Sequence, residues 1–252
     1  MPKASEARAW AHSALHGIGD SLYTPFCGVD GDDIDWDAYR ALVRYCVGDL
    51  GHSMLWLTSG VGEFWSLTIP ERKRLLETAI EEARVINPDV VIQSCTAALS
   101  AKDCLELTLH AQDAGADIAY IQTPMMELHG GEGVLKFFRY ISDRTDIALG
   151  MFNSPSSGYV LSAAESARIV EAMDFAVESG LDRFGVDMMS WFTCYPGRPD
   201  YFTHWGGAFK YAASVLGLPI GDYPHSRPPQ AELPAAAQQQ IRAAYRRLGL
   251  IG

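Results

Sequence analysis

Positive charge is scarce in this chain. Lys and Arg number 20 against 31 Asp and Glu, a formal net charge of −11. That balance argues against nucleic acid or an anionic membrane as partner, and no basic run is longer than the three residues Arg72-Lys73-Arg74. Long apolar runs are missing as well. No stretch approaches the ~20 residues needed to cross a bilayer. Met1 to Gly17 has polar breaks and no apolar core, so no secretory signal is expected. Cysteine is sparse: Cys27, Cys46, Cys95, Cys104 and Cys194 are scattered, odd in number and without zinc-type spacing. They predict buried thiols in a reducing cytoplasm. His52, His110, His129 and His204 show no H-x-H or H-x₃-H spacing, so neither a metal nor a cofactor is predicted. Lysine is rare too, with only Lys3, Lys73, Lys102, Lys136 and Lys210.

What is present has a clear rhythm. The 252 residues suffice for one (β/α)₈ barrel at its typical length of ~250 residues. Residues 1–16 read as a loose or helical arm. Strands are predicted over Gly17 to Phe26, His52 to Leu57, Asp89 to Cys95, Ile118 to Gln122 and Ile147 to Phe152. Helix starts follow them. Asp35 can cap one helix, and Thr68/Glu71, Ser100/Asp103 and Ser162/Glu165 have capping-box spacing for three more. Five βα units in succession, across residues 17–173, predict a parallel sheet with helices outside. Asp174 to His204 offers no clear buried strand, Phe184 to Trp191 being the best of it. Residues 174–208 therefore read as irregular, and 209–252 as C-terminal helices, all in a single barrel-derived domain.

The loop Leu57-Thr58-Ser59-Gly60-Val61-Gly62-Glu63 joins a buried strand to a helix start. Its glycines permit a tight turn, and its N–H groups could hold a carboxylate. Ligands of parallel α/β folds bind at strand carboxyl ends. The candidates there are Thr24, Ser59, Gly60, Val61, Thr96, Thr123, Met126, Phe152, Asn153 and Ser154. Thr and Ser at such ends equally serve as turn formers. Glu63 could act as a base or simply hold the loop. His129 could act as an acid or lie solvated.

The ordered series Thr24-Pro25-Phe26, Asp32 to Leu42, Gly60-Val61-Gly62-Glu63, Leu67-Thr68, Ala114-Gly115-Ala116-Asp117, Thr123-Pro124, Asn153-Ser154-Pro155 and Leu161-Ser162 resembles the dihydrodipicolinate synthase / N-acetylneuraminate lyase family. The match runs from about Gly17 to Met173 and resumes from about Phe209 to Leu250. The resemblance implies a TIM barrel and a cytoplasmic homo-oligomer. The implied chemistry is a lyase or aldolase that joins a lysine to a pyruvate-like 2-oxo acid through a Schiff base. It also places substrate contacts at Ser59, Gly60, Val61 and Asn153. Departures from the pattern are several. Gly60 and Val61 stand at the two hydroxyl positions of the family's carboxylate loop. Phe152 replaces its relay tyrosine, Met125 and Met126 stand at a second relay position, and Ser157 matches an arginine. The family's lysine lies on strand six, in a segment of roughly 60–70 residues absent here at ~30 per βα unit. Lys210 matches a lysine of the family's late helix. By sequence context none of the five lysines lies in the dry pocket that a neutral, nucleophilic amine requires. Three explanations of the shortfall fit: an internal deletion, completion by a second copy, or a sequence missing a segment. A non-catalytic carboxylate-binding descendant is the alternative function.

Overall fold

Strand residues that are apolar on both faces need cover on both faces, and the central strands here have that character. The computed structural model describes residues 2–125, 130–153, 160–172, 176–177, 205–228 and 232–252. Its main sheet is parallel and six-stranded. In spatial order it holds β1 (Gly19–Ser21), β4 (Met54–Leu57), β5 (Val91–Cys95), β6 (Ile118–Gln122), β7 (Ala148–Phe152) and β8 (Ala176–Val177). All five residues of β6 are buried. The sixth strand goes beyond the five expected: Ala176 and Val177 pair with Leu149 and Gly150. Phe184 to Trp191 lies outside the described residues.

The first strand is shorter than its sequence suggests. Leu22 still donates to the Trp56 carbonyl, but the Thr24 hydroxyl then turns to the Gly62 carbonyl at 2.7 Å. The Pro25 carbonyl accepts from the Asp35 amide. The chain is thereby diverted, and β2 (Phe26–Cys27) pairs antiparallel with β3 (Asp33–Ile34) in a separate small sheet.

Helices α2 (Trp36–Arg44), α3 (Ile69–Ile86), α4 (Ala101–Ala114), α5 (Gly130–Ser142) and α6 (Ala163–Ala172) follow the strands. The anticipated caps are in place. Asp35 accepts from the Ala38 amide, Ser100 from Asp103, and Thr68 and Glu71 satisfy each other's amides, as do Ser162 and Glu165. Leu55, Leu57, Ile92, Ala119, Ile121 and Leu149 pack with these helices in the main core.

The opposite face of the sheet alternates with that set. Ile118, Tyr120 and Ala148 are buried there, with Trp56 and Phe152 packed beside them. Helix α1 (Ala7–Ala14) covers this face, burying Ala7 and Ala11 with Trp10 and Leu15 alongside. The N-terminal arm is thus a packed helix that covers the second face of the sheet. Residues 174–208, read from sequence as irregular, fall largely outside the described residues. Helices α7 (Trp205–Val215) and α8 (Ala235–Arg247) pack on each other, joined by Arg242 Nε donating to Tyr211 Oη at 2.6 Å. Helix α7 begins four residues before the expected late helix. No helix among the described residues is long and apolar enough to cross a membrane.

Candidate functional site

The loop after β4 is held in an uncommon backbone shape. Thr58 and Glu63 both adopt left-handed φ, +48° and +57°. For a β-branched residue this is costly, of order 1–3 kcal/mol. The Thr58 hydroxyl offsets part of it by donating to the Cys95 carbonyl at 3.2 Å. Gly62 is required by space: a Cβ there would lie 3.0 Å from the Leu22 carbonyl oxygen and 3.2 Å from Thr58 Cα. The Glu63 amide donates to the Gly60 carbonyl and that of Phe64 to the Ser59 carbonyl. Among the described residues, the amides of Ser59, Gly60, Val61 and Gly62 donate to no carbonyl. Four donors in succession at a strand carboxyl end can take an anion. Ser59 is buried and its hydroxyl hydrogen-bonds that of Ser21, at the end of neighbouring β1. Sequence reading missed Ser21, because it carried the first strand on to Phe26.

Glu63 is fully buried and points away from solvent into a charge network. Its Oε1 lies 2.6 Å from Lys210 Nζ, and its Oε2 accepts from the Arg227 amide at 3.0 Å. The Lys210 ammonium also sits 3.9 Å from the Phe26 ring centroid and donates to the His225 carbonyl. Arg227 donates to the Gly31, Asp32 and Ser66 carbonyls and to both Glu71 oxygens. Lys210 overturns the expectation that none of the five lysines is desolvated: its side chain is 0 % exposed. Burial lowers its pKa, and Glu63 opposes that shift by favouring the charged form. The partner Glu63 lies far upstream, so local context on α7 did not reveal it. Lys3, Lys102 and Lys136 are exposed, and Lys73 pairs with Glu106 at 2.6 Å.

The remaining candidates spread around the strand ends. Asn153 donates through Nδ2 to the Leu161 carbonyl and accepts through Oδ1 from the Leu161 amide, both at 2.9 Å. Its amide therefore closes the loop after β7. Phe152 packs edge-on against Trp56 at 5.2 Å between centroids, and Trp56 against Tyr120 at 5.3 Å. Tyr120 lies over Gly150, where a Cβ would come within 2.5 Å of its ring. This aromatic trio was not foreseen; its members lie on three strands and meet only through register. Thr96 accepts from the Thr108 hydroxyl, and Thr123 is buried. Met126, His129, Ser154 and Ser157 lie outside the described residues.

Comparison with known proteins bears on the family and the fold. The family model described as "Dihydrodipicolinate synthetase family" matches residues 14–177. The 4-hydroxy-tetrahydrodipicolinate synthase of Thermotoga neapolitana is 30% identical over 141 residues, 56% of this chain and 46% of that protein. Its counterpart in Nitrobacter hamburgensis is 29% identical over 163 residues, 64% of this chain and 53% of that one. The matched chain thus spans about half the length of these curated relatives. Among solved structures, dihydrodipicolinate synthase from Aquifex aeolicus superposes with a TM-score of 0.74 at 16% identity, covering 94% of this chain and 99% of the other. YagE, a prophage protein of the dihydrodipicolinic acid synthase family from E. coli K12 in complex with pyruvate, gives 0.75 at 19% identity, with coverages of 94% and 99%. The parallel sheet with its outer helices is thus the TIM-barrel fold of these proteins, carried here by a shorter chain. By the match of its family model over residues 14–177, this chain belongs to the dihydrodipicolinate synthetase family.

Proposed function

We propose that this chain binds a small pyruvate-like 2-oxo acid at the carboxyl end of β4, as a lyase or aldolase of its family. The observation carrying this reading is the row of four amides over Ser59–Gly62 that donate to no carbonyl among the described residues. Ser59, Gly60 and Val61 hold the carboxylate, and the Ser21–Ser59 hydroxyl pair supplies side-chain donors beside them. Glu63 acts from behind, fixing the loop through Lys210 and Arg227. Asn153 shapes the loop after β7. Phe152, standing where the family has its relay tyrosine, brings no hydroxyl and favours a larger, less polar second substrate than a small polar aldehyde. Self-association belongs to the same reading: β1 has a sheet neighbour on one side only among the described residues.

A second reading, a non-catalytic carboxylate binder, is favoured by one observation. Lys210, the desolvated amine, is committed to Glu63, and a charged amine cannot attack a carbonyl. Calorimetric titration with pyruvate and longer apolar 2-oxo acids, followed by borohydride trapping and mass mapping, separates the readings. Saturable binding that is lost in Gly60→Pro, which removes one loop N–H, supports the shared site. A reduced lysine adduct then selects the lyase, and binding without an adduct selects the binder. No binding of any 2-oxo acid by the folded chain sinks both.

A further inference from the structure

We propose that Asp20, Cys46 and His52 form a site for a divalent transition ion of the zinc type, which staples the edge strand β1 to the end of α2. One ligand atom from each residue lies within 4.8 Å of the other two. Cys46 Sγ is 3.2 Å from Asp20 Oδ2, and His52 Nδ1 is 3.6 Å from the same oxygen. Ligand atoms around one tetrahedral zinc are roughly 3.3–3.6 Å apart, given bonds of about 2.0–2.3 Å. Two of the three donor pairs are thus already at chelating distances, and the third lies within 4.8 Å.

Local structure explains how they meet. A π-type turn, Tyr45–Asp49, follows α2 and re-aims Cys46. Such turns often mark functional positions. The Cys46 carbonyl accepts from the His52 amide, which brings the imidazole back beside the thiol. Asp20 lies in the middle of β1, paired with Leu55. His52 Nδ1 is buried with no hydrogen-bond partner. A buried ring nitrogen of this kind needs an explanation, and a cation supplies one. Imidazole, thiolate and carboxylate together suit zinc better than calcium or magnesium, which prefer oxygen. On binding, the Cys46 thiol loses its proton to solvent and the thiolate forms the metal–sulfur bond. The carboxylate and thiolate then balance the two charges of the ion. Asp20, 37% exposed, leaves the entry side open for the ion and a water ligand. The trio stands at the amino end of β4, away from Ser59 at its carboxyl end. The ion is therefore structural. It would anchor a three-residue edge strand that has one sheet neighbour among the described residues.

The test uses the full chain, stripped by chelator and titrated with Co²⁺. One equivalent should give a sulfur-to-cobalt charge-transfer band in the near ultraviolet and strong tetrahedral visible bands. Zn²⁺ should displace the cobalt and raise Tm. Cys46→Ser should abolish the charge-transfer band. His52→Asn should weaken Co²⁺ by more than the ~10–100-fold that loss of an outer-shell partner costs. Should Cys46→Ser misfold by circular dichroism, the His52 variant carries the test alone. The proposal is overturned if the native chain gives no charge-transfer band at one equivalent. It is equally overturned if the band persists in folded Cys46→Ser, or if His52→Asn loses no more affinity than an outer-shell change does.

Discussion

Glu63 and Lys210 are each fully buried and lie 2.6 Å apart, so either one alone is an unpaired charge in a dry place. Breaking such a pair from one side costs about 3–5 kcal/mol, whereas replacing both partners is often near neutral. Glu63→Gln alone should lower unfolding stability by that amount in urea titrations. The double variant Glu63→Gln with Lys210→Met should recover most of it, since the Arg227 amide still has an acceptor. Strictly additive losses would show that the two groups do not act as a pair. Single residues also mark the limit of sequence reading here. Ser59 and Glu63 were legible as loop residues from their place between a strand and a cap. The direction of the Glu63 side chain was not, because its partners come from the far end of the chain.

Helix α1 illustrates the same limit for an element. Its alanines at i and i+4, Ala7 and Ala11, point to a helical stripe. They do not say that the stripe lands on Tyr120 and Ala148. Once landed, it shields the aromatic trio and removes an exposed apolar face. Ala7→Glu should place a carboxylate against that face and destabilise the fold by about 2–4 kcal/mol. Chemical denaturation reads the loss, and binding of a hydrophobic dye should increase. An unchanged urea midpoint would mean that α1 does not cover the sheet in solution. The capped helices contrast with this. Thr68/Glu71 and Ser162/Glu165 are local motifs, complete within four residues, and sequence spacing located them.

Across the whole molecule, Arg227 ties the C-terminal segment to the β2–β3 hairpin and the start of α3. Burial alone would raise the Glu71 carboxyl, but hydrogen bonds from Arg227 and Thr68 outweigh it and hold the group below its ordinary value of 4.5. A carboxyl lowered on folding contributes stability above its unfolded value and loses it as pH falls through the folded one. Acidification below about pH 4.5 should therefore destabilise the native chain more steeply than Glu71→Gln, in Tm against pH. Parallel acid limbs for the two proteins would remove Glu71 from the account. Alternation of strands and helices, the caps, the position of the loop after β4 and the family were all legible in the sequence. Each of these rests on periodicity or on neighbours within a few residues. The burial of Lys210, the seat of α1 on the second face of the sheet and the convergence of Asp20, Cys46 and His52 emerge only in the folded chain. Those depend on contacts between residues distant in the chain, whose energies exist only once the sheet has brought them together.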